Sequence, residues 1–297
     1  MKIFKCLLGL QPWVIETVAL AGQLRYSRVF PHMKVIAIAN QKGGVGKTTT
    51  AVNLSVCLAA KGKQILLVDL DPQANATSAL GMNDTEGKSM YEPLLGSAAA
   101  ADQIIATRFP NMWIIPGDLN LAGAEIEVAR QDDHIIRLRN AMEPLRHHAP
   151  LDYIIMDCPP SLGVLMTNAL AATDEILVPI QCEYFALEGL GKIDHVIHQI
   201  ADGGINPGLS ITGIVMTMYD SRTNLSAQVR DEVLKHFGDR VYKTMIPRTI
   251  RLGEAPSFGK PILEYEPGGV GATAYNALAN EFIANHFRGT GMNPREK

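Results

Sequence analysis

Disulfide and metal-cluster chemistry are the first things this sequence lacks. Its four cysteines (Cys6, Cys57, Cys158 and Cys182) stand far apart, with no C-x-x-C pair and no Cys/His ligand spacing. Cys57 and Cys182 read as core thiols, and unpaired thiols suit the cytosol. A strong charge of either sign is also missing. The net charge is −3, so the whole-chain field does not draw nucleic acid, and any DNA contact needs a local basic patch. There is no internal repeat, no low-complexity tract and no mark of a second domain. No apolar run is long enough to span a membrane: residues 4–10 imitate a signal peptide, but Gln11, Pro12 and Glu16 interrupt them. What remains, 297 residues that are 47% hydrophobic and 19% charged, can bury one sizeable α/β core.

The chain is organised around residues 40–50, Asn-Gln-Lys-Gly-Gly-Val-Gly-Lys-Thr-Thr-Thr. An apolar run, residues 35–39, precedes them as a buried parallel strand, and residues 49–60 follow with apolar positions at helical spacing. Strand, Gly-rich loop, Lys-Thr and helix together make a phosphate site. The backbone N–H groups of Gly43, Gly44, Val45 and Gly46 cradle the β-phosphate, and the helix N-terminus adds its positive dipole end. Lys47 reaches the β- and γ-phosphates, Thr48 ligands Mg²⁺, and Thr49 completes the nucleotide-binding loop. Two departures from the ordinary motif G-x-x-x-x-G-K-[ST] stand out: Gln41 replaces its first glycine, and Lys42 adds a second lysine at the loop entrance. One lysine suffices within a subunit, so Lys42 reads as a catalytic and nucleotide-binding cation aimed at a phosphate held by a partner.

The pattern K-G-G-V-G-K-T resembles the deviant Walker A motif of the ParA/MinD ATPases, in which that lysine crosses a nucleotide-sandwich dimer. Residues 33–36 resemble the natural beginning of such a chain, which leaves residues 1–32 as an extension expected to be largely disordered. Residues 33–288 are then a single ATPase domain and 289–297 a polar tail.

Two further strands end in aspartates. Residues 64–69 lead into Asp71-Pro72-Gln73, and carboxylates at the end of a parallel strand overlook the ligand crevice of an open sheet. Asp69 reads as a structural strand end, whereas Asp71, on the loop beyond, is placed to orient the attacking water. The run D-L-D-P-Q-A-N-A-T resembles the first switch region of the family, which implies Asp71 as the hydrolysis residue. Residues 153–157 end in Asp157, a Walker B aspartate that holds Mg²⁺ directly or through water, and D-C-P-P-S-L-G resembles the second switch. Residues 181–190 resemble the segment that leads into a long helix at the family's dimer face. Helices are also expected over 119–130, 132–147, 223–237 and 273–287.

Basic residues gather between positions 220 and 261. Alone, they describe a charged surface helix. D-S-R-T-N-L and I-P-R-T-I-R-L-G-E-A-P-S-F-G-K-P, however, resemble ParA/Soj segments, and the resemblance implies that Arg222 and Arg251 contact DNA without sequence preference. It likewise places Pro247 and Arg248 at the adenine edge. The chain's polar end, with Gly and Pro, argues against the membrane-binding helix that closes MinD proteins.

The expected fold is an α/β P-loop NTPase of the deviant Walker A type: an open, mostly parallel, twisted sheet with helices on both faces. The resemblance, covering residues 33 to about 287, implies a ParA/Soj-type partitioning ATPase using ATP and Mg²⁺, dimeric when ATP-bound. It also implies nonspecific DNA of the nucleoid and a ParB-type centromere-binding protein as partners, in the cytoplasm, with no membrane. The alternative is a positioning ATPase acting on membrane or protein cargo. An iron–sulfur relative would need cysteines placed to bridge two subunits, and Cys158 and Cys182 already belong to the matched motifs.

Overall fold

The computed structural model describes residues 33–289; the N-terminal extension, residues 1–32, and the tail from residue 290 lie outside the described residues. Strands form wherever short apolar runs meet glycine- or proline-containing breaks. They are β1 (Lys34–Ile38), β2 (Ile65–Asp69), β3 (Ile105–Ala106), β4 (Met112–Ile115), β5 (Tyr153–Asp157), β6 (Glu175–Gln181) and β7 (Ile211–Thr217). They pair in the order β3-β4-β2-β5-β1-β6-β7, all parallel except the short edge strand β3. The chain first builds outward from β1 to β4, returns at β5, then continues on the other side of β1. That reversal leaves the crevice beyond the carboxyl end of β1, where ligands of open α/β sheets bind.

The connecting helices are α1 (Lys47–Ala60), α2 (Asn75–Ala79), α3 (Tyr91–Leu95), α4 (Asn120–Val128), α5 (Arg137–His148) and α6 (Val164–Ala172). After these come α7 (Ala186–Asp202), α8 (Asn224–Phe237), α9 (Ile250–Glu254), α10 (Ile262–Tyr265) and α11 (Val270–Gly289). Strand alternation divides the core in two. Val35, Ala37, Val68 and Met156 pack under α4 to α8, while Ile36, Ile38, Leu67 and Ile155 pack under α1 and α11. Helices therefore cover both faces, as expected. Phe282 of α11 is 1% exposed and stacks edge-on against Tyr153, a burial worth about 2 kcal/mol.

One helix differs from expectation. Residues 132–136 form turns, and α5 starts only at Arg137. Tight turns stand in place of the helix there: the His134 amide donates to the Gln131 carbonyl at 3.2 Å, and the Ile136 amide to that of Asp133 at 3.0 Å. On α11, Leu278 and Phe282 are buried and Ile283 is half-buried, while the Phe287 side chain lies outside the described residues.

Candidate functional site

The register of the sheet fixes the acidic floor of the site. Ile38 pairs with Asp157 and Asp69 pairs with the same residue, so two carboxylates stand side by side at the strand ends. Both are fully buried. Asp69 is satisfied: one oxygen accepts from the Thr77 amide (2.9 Å) and hydroxyl (2.7 Å), the other from the Asp71 amide at 3.2 Å. Burial still pushes its carboxyl up to about 6, against the pull of those bonds. Asp157 is different. Neither of its oxygens has a hydrogen bond of ordinary geometry. Burial and then the neighbouring Asp69 push its carboxyl well above the usual 3.8, while Thr48 and Lys47 pull it only partly back.

Above this floor the P-loop turns into α1 through Gly46, whose φ of +87° a residue with a β-carbon rarely adopts. The loop is pinned from below. The buried Thr217 hydroxyl lies 2.8 Å from the Val45 carbonyl and 2.9 Å from that of Ile180, and can donate to either. Asn40 is buried too: its amide donates to the Pro179 carbonyl at 2.8 Å, and its carbonyl accepts from the Lys42 amide at 3.0 Å. The loop opens on a cavity of about 620 Å³ whose walls include Gly43, Gly44, Gly46, Lys47, Thr48, Thr49 and Asp71. Lys47 is 7% exposed and donates to the Lys42 carbonyl at 3.2 Å. Burial lowers its ammonium below 10.5, although Asp157, Cys158 and Asp71 all oppose the shift. Asp71 is 8% exposed, and one of its oxygens accepts from the Gln73 amide at 2.9 Å, which fixes the carboxylate at the cavity wall.

Lys42 does not line that cavity. Its ammonium is 3.0 Å from Glu183, on the segment ahead of α7, and the Arg248 guanidinium is 3.8 Å from the same carboxylate. Pro247 and Arg248 line a second cavity of about 340 Å³ that shares Gly46, Thr49, Met218 and Leu252 with the first. The phosphate loop and the Pro247–Arg248 segment are thereby brought to adjoining cavities. Arg222 and Arg251 lie elsewhere, in the turn before α8 and in the first turn of α9. Each is already ion-paired: Arg222 with Asp220 at 2.7 Å, Arg251 with Glu254 at 2.9 Å and Glu266 at 3.5 Å.

Sequence reasoning missed Asn40, Thr77, Gly117 and Thr217. The Gly117 amide donates to the Thr77 hydroxyl at 2.9 Å, and a β-carbon there would come 2.8 Å from the Asp69 carboxylate. Asn40, at the head of the phosphate loop, and Thr77, at the end of the first-switch run, left a signal in the sequence; Gly117 and Thr217 did not.

The donor set suits a hard divalent cation. Asp157 offers two buried oxygens that lack a hydrogen bond of ordinary geometry, beside Thr48, and Mg²⁺ takes one or two protein oxygens plus phosphates and water. Among the described residues no group of three or more His, Cys, Asp or Glu is arranged to hold a metal, so an all-protein cage is not the pattern here. No helix of the described residues is long and apolar enough to cross a membrane.

Comparison with known proteins agrees with this geometry. An AAA domain family model matches residues 33–211. The chain is 49% identical over 253 residues to the chromosome partitioning protein ParA of Caulobacter vibrioides, covering 85% of this chain and 94% of that one. It is 51% identical to the sporulation initiation inhibitor protein Soj of Bacillus subtilis, over 85% of this chain and 99% of Soj. Among solved structures it is similar to cobyrinic acid a,c-diamide synthase of Mycobacterium smegmatis, crystallised with an ATP analogue and magnesium. That match has a TM-score of 0.73 and 34% identity, and covers 88% of this chain and 97% of that one. The P-loop with its second lysine, the seven-stranded sheet and identities near one half place the chain in the ParA/Soj family of chromosome-partitioning P-loop ATPases.

Proposed function

We propose that the protein is an ATP-driven DNA-partitioning switch: ATP closes a face-to-face dimer that binds DNA without sequence preference, and hydrolysis opens it. The observation that carries this reading is Lys42, a motif cation whose ammonium sits outside its own cavity, on Glu183. A lysine at that lip is useless to its own phosphate and well placed for one brought by a second copy. Gly43, Gly44, Val45, Gly46 and Thr49 hold the phosphates through the loop, and Lys47 neutralises their charge from inside. Pro247 and Arg248 bound the adenine edge. Thr48 and Asp157 would hold Mg²⁺, which would offset phosphate charge at the site. Asp71 orients water at the cavity wall, its carboxylate kept in place by the Gln73 amide. Residues 33–288 act as one domain; Arg222 and Arg251 take DNA backbone phosphates. A ParB-type protein stimulates hydrolysis, and the working place is the nucleoid in the cytoplasm.

The test is binding to nonspecific duplex DNA with ADP, with ATP and with a slowly hydrolysed analogue, alongside Arg251→Ala. Four arginines per dimer on phosphate give a log–log salt slope near about −3.6, a loss of roughly 150-fold between about 50 and about 200 mM salt. ATP-dependent binding that Arg251→Ala abolishes is the expected result. A protein that dimerises with ATP and binds no DNA in any state would remove DNA from the account.

A further inference from the structure

Away from the P-loop, the nucleotide cavity has two walls from distant parts of the chain. Ser78 and Ala79 of α2 form one; Pro256, Ser257 and Lys260, after α9, form the other. The first wall follows Asp71 by a single turn, since the Ala74 amide donates to the Asp71 carbonyl at 2.9 Å. The second follows the helix that carries Arg251.

Beyond the cavity these walls touch, backbone to backbone, at Gly81 and Gly259. A β-carbon on Gly81 would lie 2.9 Å from the Gly259 carbonyl oxygen, and one on Gly259 would lie 2.7 Å from the Gly81 α-carbon. Both glycines have positive φ, +69° and +61°, so side chains are excluded on two grounds.

Arg108, in the loop after β3, fastens this contact. Its guanidinium donates to the Leu80 carbonyl at the end of α2 and, at 2.8 Å, to the Gly259 carbonyl. It also donates to the Glu264 carboxylate on α10, at 2.9 Å from Nε and 2.7 Å from a terminal nitrogen. The guanidinium lies 4.6 Å from the centre of the Phe109 ring, which adds a cation–π contact. Three acceptors from three segments meet one planar fork; a lysine, with a single rotating ammonium, cannot reproduce that.

We propose that Arg108 is a positioning residue that makes α2 and the 255–261 loop move as one unit. A displacement of the Asp71 loop, when nucleotide binds or loses its γ-phosphate, is thereby passed to the segment bearing Arg251. This rests on the reading in which the nucleotide state governs DNA binding, and it names the mechanical link. The link touches neither nucleotide nor DNA. Its signature is a loss of coupling between the two sites while nucleotide binding itself persists.

Arg108→Lys, Arg108→Ala and Glu264→Gln, all in the full chain, test it. Arg108→Lys keeps the charge pair with Glu264 and drops the double carbonyl bond. Glu264→Gln keeps the carbonyl bonds. Three quantities are read: affinity for a fluorescent ATP analogue with Mg²⁺, hydrogen exchange of residues 249–261 with ADP against ATP analogue, and the ratio of DNA affinities in those two states. In both Arg108 variants analogue affinity is expected to stay at the wild-type level. The exchange difference should vanish and the DNA ratio should fall by about tenfold, within the usual range of coupling between sites. Glu264→Gln should retain both.

Folded Arg108 variants that keep the exchange difference overturn the proposal. So does a parallel loss of analogue affinity, which would make Arg108 a structural prop, and so does a wild type with no exchange difference at 249–261. If the wild type shows the exchange difference and no DNA binding, the DNA reading fails while the exchange data still decide on Arg108.

Discussion

Asp157 and Arg251 carry opposite charges, and the fold treats them in opposite ways. Asp157 is sealed under the P-loop with no hydrogen-bond partner of ordinary geometry, placed there by the register of β5 between β1 and β2. Arg251, half exposed, is already bonded to Glu254 and Glu266, and Arg222, 86% exposed, to Asp220. An unpaired buried carboxylate destabilises the protein until a cation reaches it. A paired surface arginine is close to neutral in stability and only weakly committed to its partner. Under the proposed function, the acidic end is built ahead of its ligand, and the basic end is held by neighbours that a DNA phosphate would displace.

The sharpest way to break this contrast is Asp157→Asn. Activity should fall by about 100-fold or more, roughly 2.7 kcal/mol of barrier, in a steady-state ATPase assay. Without nucleotide and Mg²⁺ the same variant should melt higher than the wild type, by about 2 °C or more, because a costly buried carboxyl has gone. A lower melting temperature in that state would mean that Asp157 is satisfied in the free protein, and the contrast would collapse. Asp220→Asn sharpens the other half. Freeing Arg222 should raise nonspecific DNA affinity about two- to fivefold at low salt, an effect that fades as salt is added. No gain, measured by fluorescence anisotropy, would remove Arg222 from the DNA surface.

The smallest effect comes from a carboxylate at the far end of the sheet. Burial pushes Glu175 up, but His286 at 2.9 Å and Lys34 at 3.4 Å outweigh it and hold its carboxyl below the ordinary 4.5. A depressed carboxylate stabilises the fold above its unfolded-state value, and that contribution disappears as pH falls through the folded one. Glu175→Gln should therefore lower the melting temperature by about 2 °C at neutral pH and make little difference at acid pH. Equal losses at both pH values would assign Glu175 a packing role only.

Much of this was legible in the sequence for a plain reason. Buried parallel strands are apolar runs, and the phosphate loop is one contiguous motif, so both depend on neighbouring residues. Asp157 was readable because it ends such a run, and Asp71 because it follows the end of one by two residues. What stayed hidden depends on contacts across the chain: Thr217 under Val45, Asn40 on Pro179, Arg108 on Gly259. Asn40 stands beside the phosphate motif, but nothing near Thr217 or Arg108 in sequence marks them. The late start of α5 was hidden differently, because turn bonds from the His134 and Ile136 amides stand in place of a helix that apolar spacing favours. The ion pairs of Arg222 and Arg251 show the same limit: composition revealed a basic segment, and only the fold revealed that Glu266 lies beside it.

The hydroxyl beneath the P-loop has a consequence for how the protein is made. β1 finds its sheet neighbours only in β5 and β6, and Thr217 secures the loop from 172 residues further along. A nascent chain therefore carries the complete phosphate motif long before that motif has its shape. Until β7 emerges, the glycine-rich loop lacks the Thr217 hydroxyl beneath Val45. A chain ending before β7 is therefore expected to bind ATP more weakly than the full chain, despite having every residue of the motif.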